Sequence, residues 1–230
     1  MKANIFTLTA IGLIGLLLLT GCGFGGVSFD PKSMTRIIGS GKVVTESRSV
    51  NEFDGLVVDG AGRIFIDQTG TESLTITTDE NMLPYIETQV RDGKLIIKFK
   101  PNTLPQDLTD LTFRLTVKKL NAIDLSGAMI LEGKNIDANQ LSVAIDGASA
   151  VKLAGKVEGL TVTLDGASAF DSRNLECQRA TVTNNGAGAA IVRASNQLTA
   201  TINGMGVVQY LGDPQVTRLI RGVGVVSKRY

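Results

Sequence analysis

Short stretches of alternating apolar and polar residues run along most of the chain, and many of them lead into a glycine. From Gly127 onward these glycines recur every 18 to 20 residues. The repeat glycines are Gly60, Gly127, Gly147, Gly166, Gly186, Gly204 and Gly222. Alternation with a period of two predicts a strand with one buried face. A further apolar position four residues after each glycine predicts a second strand beyond a bend at the glycine.

A repeat of this length favours an all-β fold, a right-handed single-stranded parallel β-helix (a β-solenoid) with about 18 to 20 residues per coil. Parallel stacking places equivalent residues of successive coils directly above one another, ~4.8 Å apart, so that each apolar column lies on one side. Antiparallel hairpins would break this one-sided pattern. Leucine-rich or helical repeats are the alternative at this period, but no repeat contains a 3.6-residue apolar stripe long enough for a helix.

The predicted solenoid has an irregular part and a regular part. Residues 43–120 carry strand patterns without the repeated glycine motif, and we expect them to form irregular first coils that cover the N-terminal end. Asp92 and Gly93 form a hairpin signal, and residues 101–110 are expected to be a loop. Residues 121–230 are expected to form the regular coils. In the last coil Arg218 replaces an inward aliphatic residue. Its charge is expected to hinder pairing of this exposed edge with a strand of another chain.

The N-terminus is typical of an export signal. Lys2 precedes an apolar run too short to span a bilayer, so residues 1–21 are expected to be a signal peptide rather than a membrane span. The quartet Leu19-Thr20-Gly21-Cys22 resembles the bacterial lipobox, and this resemblance implies cleavage before Cys22 and attachment of acyl chains such as palmitate to it. An ordinary secreted protein is the alternative. Residues 22–42 would then be the lipidated cysteine and a flexible tether.

The residue that follows Cys22 indicates the membrane in which the protein is anchored. Gly23 after the cysteine resembles an outer-membrane sorting signal, so we expect a membrane-anchored lipoprotein of the cell envelope, facing either the periplasm or the exterior. Removal of residues 1–21 takes away Lys2 and leaves equal numbers of basic and acidic side chains. This balance provides no basic excess for nucleic-acid binding.

The amino-acid composition excludes several kinds of catalytic and metal-binding site. The chain contains no histidine and no tryptophan but has 26 glycines. Without histidine, Ser-His-Asp and Cys-His pairs are excluded, and the usual zinc sites lose their commonest ligand. Cys177 is the one thiol besides Cys22, and it lacks an evident activator, so we expect it to be inert. No cofactor is expected.

Several segments match a known family in order and in motif. They are residues 48–60, Thr78–Asn81, Asp92–Leu95, Leu120–Ala128 and Tyr210–Pro214. Together they resemble the head-GIN domain family, also called autotransporter-adhesin-like, from about Val43 to Tyr230. The resemblance implies an exported or lipid-anchored bacterial envelope protein with a right-handed parallel β-helix, and it brings no catalytic residues.

One polar column offers candidate chemistry. The residue before each repeat glycine is polar: Asp59, Ser126, Asp146, Asp165, Asn185, Asn203 and Arg221. Asp146 and Asp165 would be neighbours in adjacent coils, which makes them candidates for a Ca²⁺ site. The competing interpretation, which we favour, is that these residues suit the bend and cap backbone groups. Asn184 lies in the inward-facing column two residues before the repeat glycine. It is expected either to mark a bulge that shifts the register or to be a buried amide.

The sequence therefore predicts a non-catalytic, lipid-anchored envelope protein. It would present a threonine- and small-residue-rich β-helix surface for adhesion or for binding a glycan or an envelope protein. The alternative is a β-helix polysaccharide lyase or hydrolase, which needs paired carboxylates. Asp107 with Asp110, and Asp79 with Glu80, are such pairs in predicted loops, but no cleft is evident beside them.

Overall fold

The computed structural model describes residues 34–230, and these form a β-rich domain. Residues 1–33, with the expected signal peptide and Cys22, lie outside the described residues. Within 34–230, no helix has both the length and the apolar character to cross a membrane. A 3-10 helix covers Leu83–Tyr85. The strands are β1 Thr35–Ile38, β2 Val43–Arg48, β3 Gly55–Gln68, β4 Ser73–Asp79, β5 Ile86–Arg91, β6 Lys94–Phe99, β7 Thr103–Gln106, β8 Leu111–Val117, β9 Ala122–Gly147, β10 Ala150–Leu164, β11 Ala169–Asn184, β12 Ala187–Ile202, β13 Met205–Leu211, β14 Gln215–Ile220 and β15 Val223–Lys228.

Parallel pairing of successive repeats builds most of the domain. Along one long sheet the order runs β3, β9, β10, β11, β12 and β13, with β14 paired to β12 and β15 to β13. All of these neighbours are parallel. Equivalent residues face each other, as in the pairs Leu160–Ala180 and Val162–Val182. We call each repeat of this stack a rung. The all-β class and the mostly parallel sheet agree with the sequence prediction.

The core is a continuous set of aliphatic columns. The predicted inward positions are buried on every rung from β3 to β12, for example Val58, Leu125 and Leu164 at 2% exposure or less. Because each aliphatic side chain packs on its equivalent in the next rung, small and medium residues fill the interior. The largest buried side chains include Phe113 and Phe170.

The N-terminal part mixes parallel and antiparallel pairing. On the side of β3 away from β9, β6 pairs with its first half and β8 with its second half, both in parallel. The sheet then turns antiparallel, from β8 to β4 and from β4 to β2. The Asp92-Gly93 hairpin joins β5 and β6 antiparallel, as the turn signal predicts. Residues 43–120 thus add one parallel layer, formed by β6 and β8, and then end the stack with antiparallel strands.

Two short strands correct the sequence prediction. Thr35–Ile38 forms β1 and pairs in parallel with β7, Thr103–Gln106. The expectation of a flexible tether throughout 22–42 is therefore wrong for residues 35–38, and residues 101–110 are not wholly a loop. This pairing is non-local, and neither four-residue strand has a glycine motif or a long alternating pattern to reveal it.

The last rung is open on one side. Within residues 34–230, β14 pairs with β12 alone and β15 with β13 alone. Arg218 stands in the inward aliphatic column and is exposed, as the sequence indicated for this edge. Ile220 and Val223 are 44% and 73% exposed because no further strand covers them.

Candidate functional site

The repeat glycines form one column through the stack, where the backbones of neighbouring rungs approach closely. Gly60 pairs with Gly127 in the β3–β9 register. A Cβ placed on Gly127, Gly147, Gly166, Gly186, Gly204 or Gly222 would lie closer than 3.0 Å to the carbonyl oxygen of the glycine one rung below. These residues therefore serve the packing of the bend, and their lack of a side chain is a steric requirement.

From Asp165 to Arg221, the polar column beside the glycines is a hydrogen-bonded ladder. Asn185 donates through Nδ2 to Oδ1 of Asp165 at 2.6 Å, and Asn203 donates to Oδ1 of Asn185 at 2.7 Å. Arg221 donates to Asn203 at 3.3 Å and ends the ladder. Each amide thus satisfies the side chain of the neighbouring rung, which fits a structural role for the column.

The candidate Ca²⁺ ligands Asp146 and Asp165 lie in adjacent rungs, as their spacing predicts. The Asp165 N–H donates to the carbonyl of Ile145 at 2.9 Å, which fixes the two rungs together. One Asp165 oxygen is already engaged by Asn185. Among residues 34–230, no group of three or more acidic, cysteine or histidine side chains is arranged to hold a metal ion. The two carboxylates alone fall short of the 6–8 oxygen ligands of a calcium site.

Two buried polar side chains, those of Asn184 and Cys177, donate hydrogen bonds to backbone carbonyl groups. Asn184 points inward and is fully buried, and its Nδ2 donates to the carbonyl oxygens of Gly188 at 2.8 Å and Met205 at 3.3 Å. The Cys177 thiol is buried and donates to the carbonyl of Arg193 at 3.1 Å. Burial raises the pKa of Cys177 to about 11, so its thiolate is scarce at neutral pH.

Threonine columns occupy the outward positions of one strand segment. The register pairs Thr161 with Thr181 and Thr181 with Thr199, while a parallel column pairs Thr163 with Thr183. These hydroxyls repeat at the ~4.8 Å spacing of the rungs and are exposed or half-buried. They form the regular polar face that the repeat predicted.

A groove of about 640 Å³ lies where β3, β4, β8, β9, β10 and β11 meet. Its lining includes Phe65, Arg114, Glu132, Lys152 and Asn174. In the outward column of Phe65, the register sets Arg114 on one side and Glu132 on the other, and it then pairs Glu132 with Lys152. A volume of this size suits a small ligand or a short polymer segment.

Charge in the groove is only partly neutralised by ion pairs. The Arg114 guanidinium lies 4.6 Å from the centre of the half-buried Phe65 ring, a cation–π contact. Asp67 is paired with Lys134 at 2.8 Å. Hydrogen bonds from Lys134 and from the Asn135 amide lower the pKa of Asp67, so it stays ionised. Among the ion pairs of residues 34–230, none involves Arg114, Lys152 or Glu132.

Sequence reasoning missed this groove, although a signal for half of it existed. Phe65, Glu132 and Lys152 each stand five residues after a repeat glycine, a column that the repeat alignment contains. Arg114 lies outside the repeats and reaches Phe65 only through the β3–β8 pairing. The carboxylate pair Asp107 and Asp110 is not part of the groove lining, and Asp110 instead pairs with Arg63 at 2.9 Å.

Comparison with known proteins gives one family and a set of similar structures. Residues 52–214 match the family model described as "Putative auto-transporter adhesin, head GIN domain". No curated protein sequence matches the chain. A structure named a "putative adhesin" from Bacteroides fragilis is 21% identical with a TM-score of 0.69, covering 84% of this chain and all of that one. A "putative lipid binding protein" from Parabacteroides distasonis is 20% identical with a TM-score of 0.51, covering 85% of this chain and all of that one. At these identities the likeness concerns the fold alone.

Proposed function

We propose, because this chain belongs to the family of head GIN domains, that it is a non-catalytic protein of the cell envelope whose stacked surface binds a glycan or a protein partner. The observation that carries the proposal is the parallel, in-register stack, with an open groove of about 640 Å³ in its surface. A stack of this kind is rigid and repeats its side chains at a fixed spacing, which suits polymeric ligands.

The proposal includes a right-handed parallel β-helix as the form of the stack. Its support is that successive repeats pair in parallel with equivalent residues opposite each other. Crossovers between parallel strands are right-handed in nearly all proteins, which gives the proposed hand.

The proposal also includes an acylated Cys22 that holds the domain at a membrane, with the outer membrane as the expected site. The apolar run before Cys22 and the lipobox-like quartet support this anchor. A shortened tether would then join Cys22 to β1, whose first residue is Thr35. Labelled palmitate should enter the wild-type chain and not a Cys22→Ser variant. Equal labelling of both chains would contradict the anchor.

Binding is tested on the chain from Gly23 onward, presented to a glycan array and to solubilised envelope extract from the producing cell. We expect saturable retention of a glycan or of one envelope protein, without conversion of the glycan. Product formation from a retained glycan would contradict the non-catalytic role. Retention of no envelope component would contradict the binding role itself.

A further inference from the structure

The Arg114 side chain in the groove is held in a defined position while its donors remain available. Its guanidinium lies 4.6 Å from the centre of the Phe65 ring, and the side chain is exposed. Stacking on an aromatic face fixes the plane of the guanidinium, so less conformational entropy is lost when its N–H groups bind a ligand. A planar guanidinium fork matches the two oxygens of a carboxylate.

Within residues 34–230, no acidic side chain forms an ion pair with this cation. Asp67 is held by Lys134 and by Nδ2 of Asn135, each at 2.8 Å. Glu132 stands on the far side of Phe65 from Arg114 in the sheet register, two strand spacings or ~9.6 Å away. The groove thus has a positive end at Arg114 and an acidic position at Glu132, separated by a half-buried aromatic ring.

A ligand for this arrangement needs a carboxylate for Arg114 and hydroxyl groups within reach of Glu132. It also needs an apolar face that can pack against the half-buried Phe65 side chain, which lines the groove. An oligosaccharide that carries a carboxylate has all three, because sugar rings combine apolar C–H faces with hydroxyl groups. The groove's volume of about 640 Å³ is within the range of ligand sites and suits a short stretch of such a chain.

We propose that the groove between Arg114 and Glu132 binds an acidic, carboxylate-bearing glycan, with Arg114 holding the carboxylate and Phe65 supporting the sugar ring. Lys152, next to Glu132 in the register, adds a second cation to the groove. This inference rests on the proposed binding function and names the chemical class of its ligand.

The test is calorimetric titration of the full chain, purified in mild detergent, with tri-galacturonate and with its methyl ester. The ester keeps the sugar rings and their hydroxyl groups but carries no negative charge. We expect saturable binding of the acid that weakens as salt is added, and no binding of the ester. Arg114→Gln should weaken binding about ten-fold or more, because it removes a charge-assisted pair of hydrogen bonds. Arg91→Gln, in the exposed hairpin outside the groove, should leave binding unchanged.

Glu132→Gln supplies a change of opposite sign, because the amide keeps an oxygen that accepts from the sugar hydroxyls and removes the negative charge that repels an anionic ligand. We expect it to tighten binding of the acid, and near-ultraviolet and far-ultraviolet circular dichroism should show that both groove variants remain folded. Equal binding of acid and ester, or an unchanged affinity in Arg114→Gln, would overturn the assignment. A chain that retains a neutral glycan or an envelope protein but ignores the acid also overturns it, and leaves the proposed function standing. A chain that retains nothing overturns both.

Discussion

The glycine column predicts a specific pattern of instability when a methyl group is added. At Gly147 the backbone φ is +130°, and a Cβ would overlap the carbonyl oxygen of Gly127. That oxygen also accepts a hydrogen bond from the Ala148 N–H at 2.9 Å. Gly147→Ala must therefore strain the backbone and push two rungs apart.

Two further variants separate these effects. Gly70 has a φ of +84° with nothing within 4 Å of an added Cβ, so Gly70→Ala carries the backbone cost alone, about 1–2 kcal/mol. At Gly186 no such φ applies, but a Cβ would overlap the Gly166 oxygen, which accepts from the Ala187 N–H at 3.0 Å. Losing such a bond costs about 1–3 kcal/mol. Gly147→Ala combines both effects and should cost about 2–5 kcal/mol.

The assay is urea unfolding of residues 34–230 followed by circular dichroism, with a thermal scan as a second readout. For a domain of this size each 1 kcal/mol lowers Tm by about 2–4 °C, so Gly147→Ala should lower it by about 4–20 °C. If Gly186→Ala proves as stable as the wild-type domain, the rungs do not touch at this column and the reasoning fails. If Gly70→Ala loses as much stability as Gly147→Ala, the backbone cost alone explains the effect, and the argument from contact between rungs fails.

Three further predictions concern buried polar groups. Asn184→Asp should cost about 3–5 kcal/mol at pH 7, because a buried carboxylate would face the Gly188 and Met205 carbonyls, and urea unfolding should show part of the loss recovered at acidic pH. Cys177 should resist iodoacetamide at mildly alkaline pH until urea unfolds the domain, because burial raises its pKa to about 11; rapid native labelling, seen by mass spectrometry, would contradict this. Burial alone would raise the pKa of Asp79, but N–H donors of Thr109 and Gly41 and the Thr109 hydroxyl outweigh it and lower the pKa. The stability that Asp79 contributes is thus present above pH 3.8 and is lost as the pH falls through the lower pKa of Asp79 in the folded state. Urea unfolding at a series of pH values should show this pH dependence reduced in Asp79→Asn. The exposed control Glu80→Gln should retain it.

The sequence predicted the regular rungs well because their signal is repeated. The column containing Leu164, Asn184 and Ile202 follows from the glycine spacing alone, and the structure buries all three side chains. The repeat alignment is therefore sufficient to identify a polar residue in that column as inward-facing. Equal spacing also placed Asp165, Asn185 and Asn203 side by side.

The N-terminal part was harder to predict because its pairing is non-local and unrepeated. The antiparallel order of β2, β4 and β8 and the pairing of β1 with β7 depend on contacts between segments of different pattern. The groove is lined both by residues of the repeats and by residues that non-local pairing brings to it. Glu132 and Lys152 lie in a column readable from the repeats, whereas Arg114 joins them only through the β3–β8 register.

Because similar rungs stack on one another, packing alone sets no upper limit on the height of the domain. A rung rests on the one beneath it, and the next adds its own aliphatic side chains, glycine and backbone partners. Tandem duplication or loss of about 19 residues would thus lengthen or shorten the molecule by ~4.8 Å and leave distant contacts intact. Descendants of such a gene can differ in reach while keeping the region around Phe65 and Arg114 unchanged.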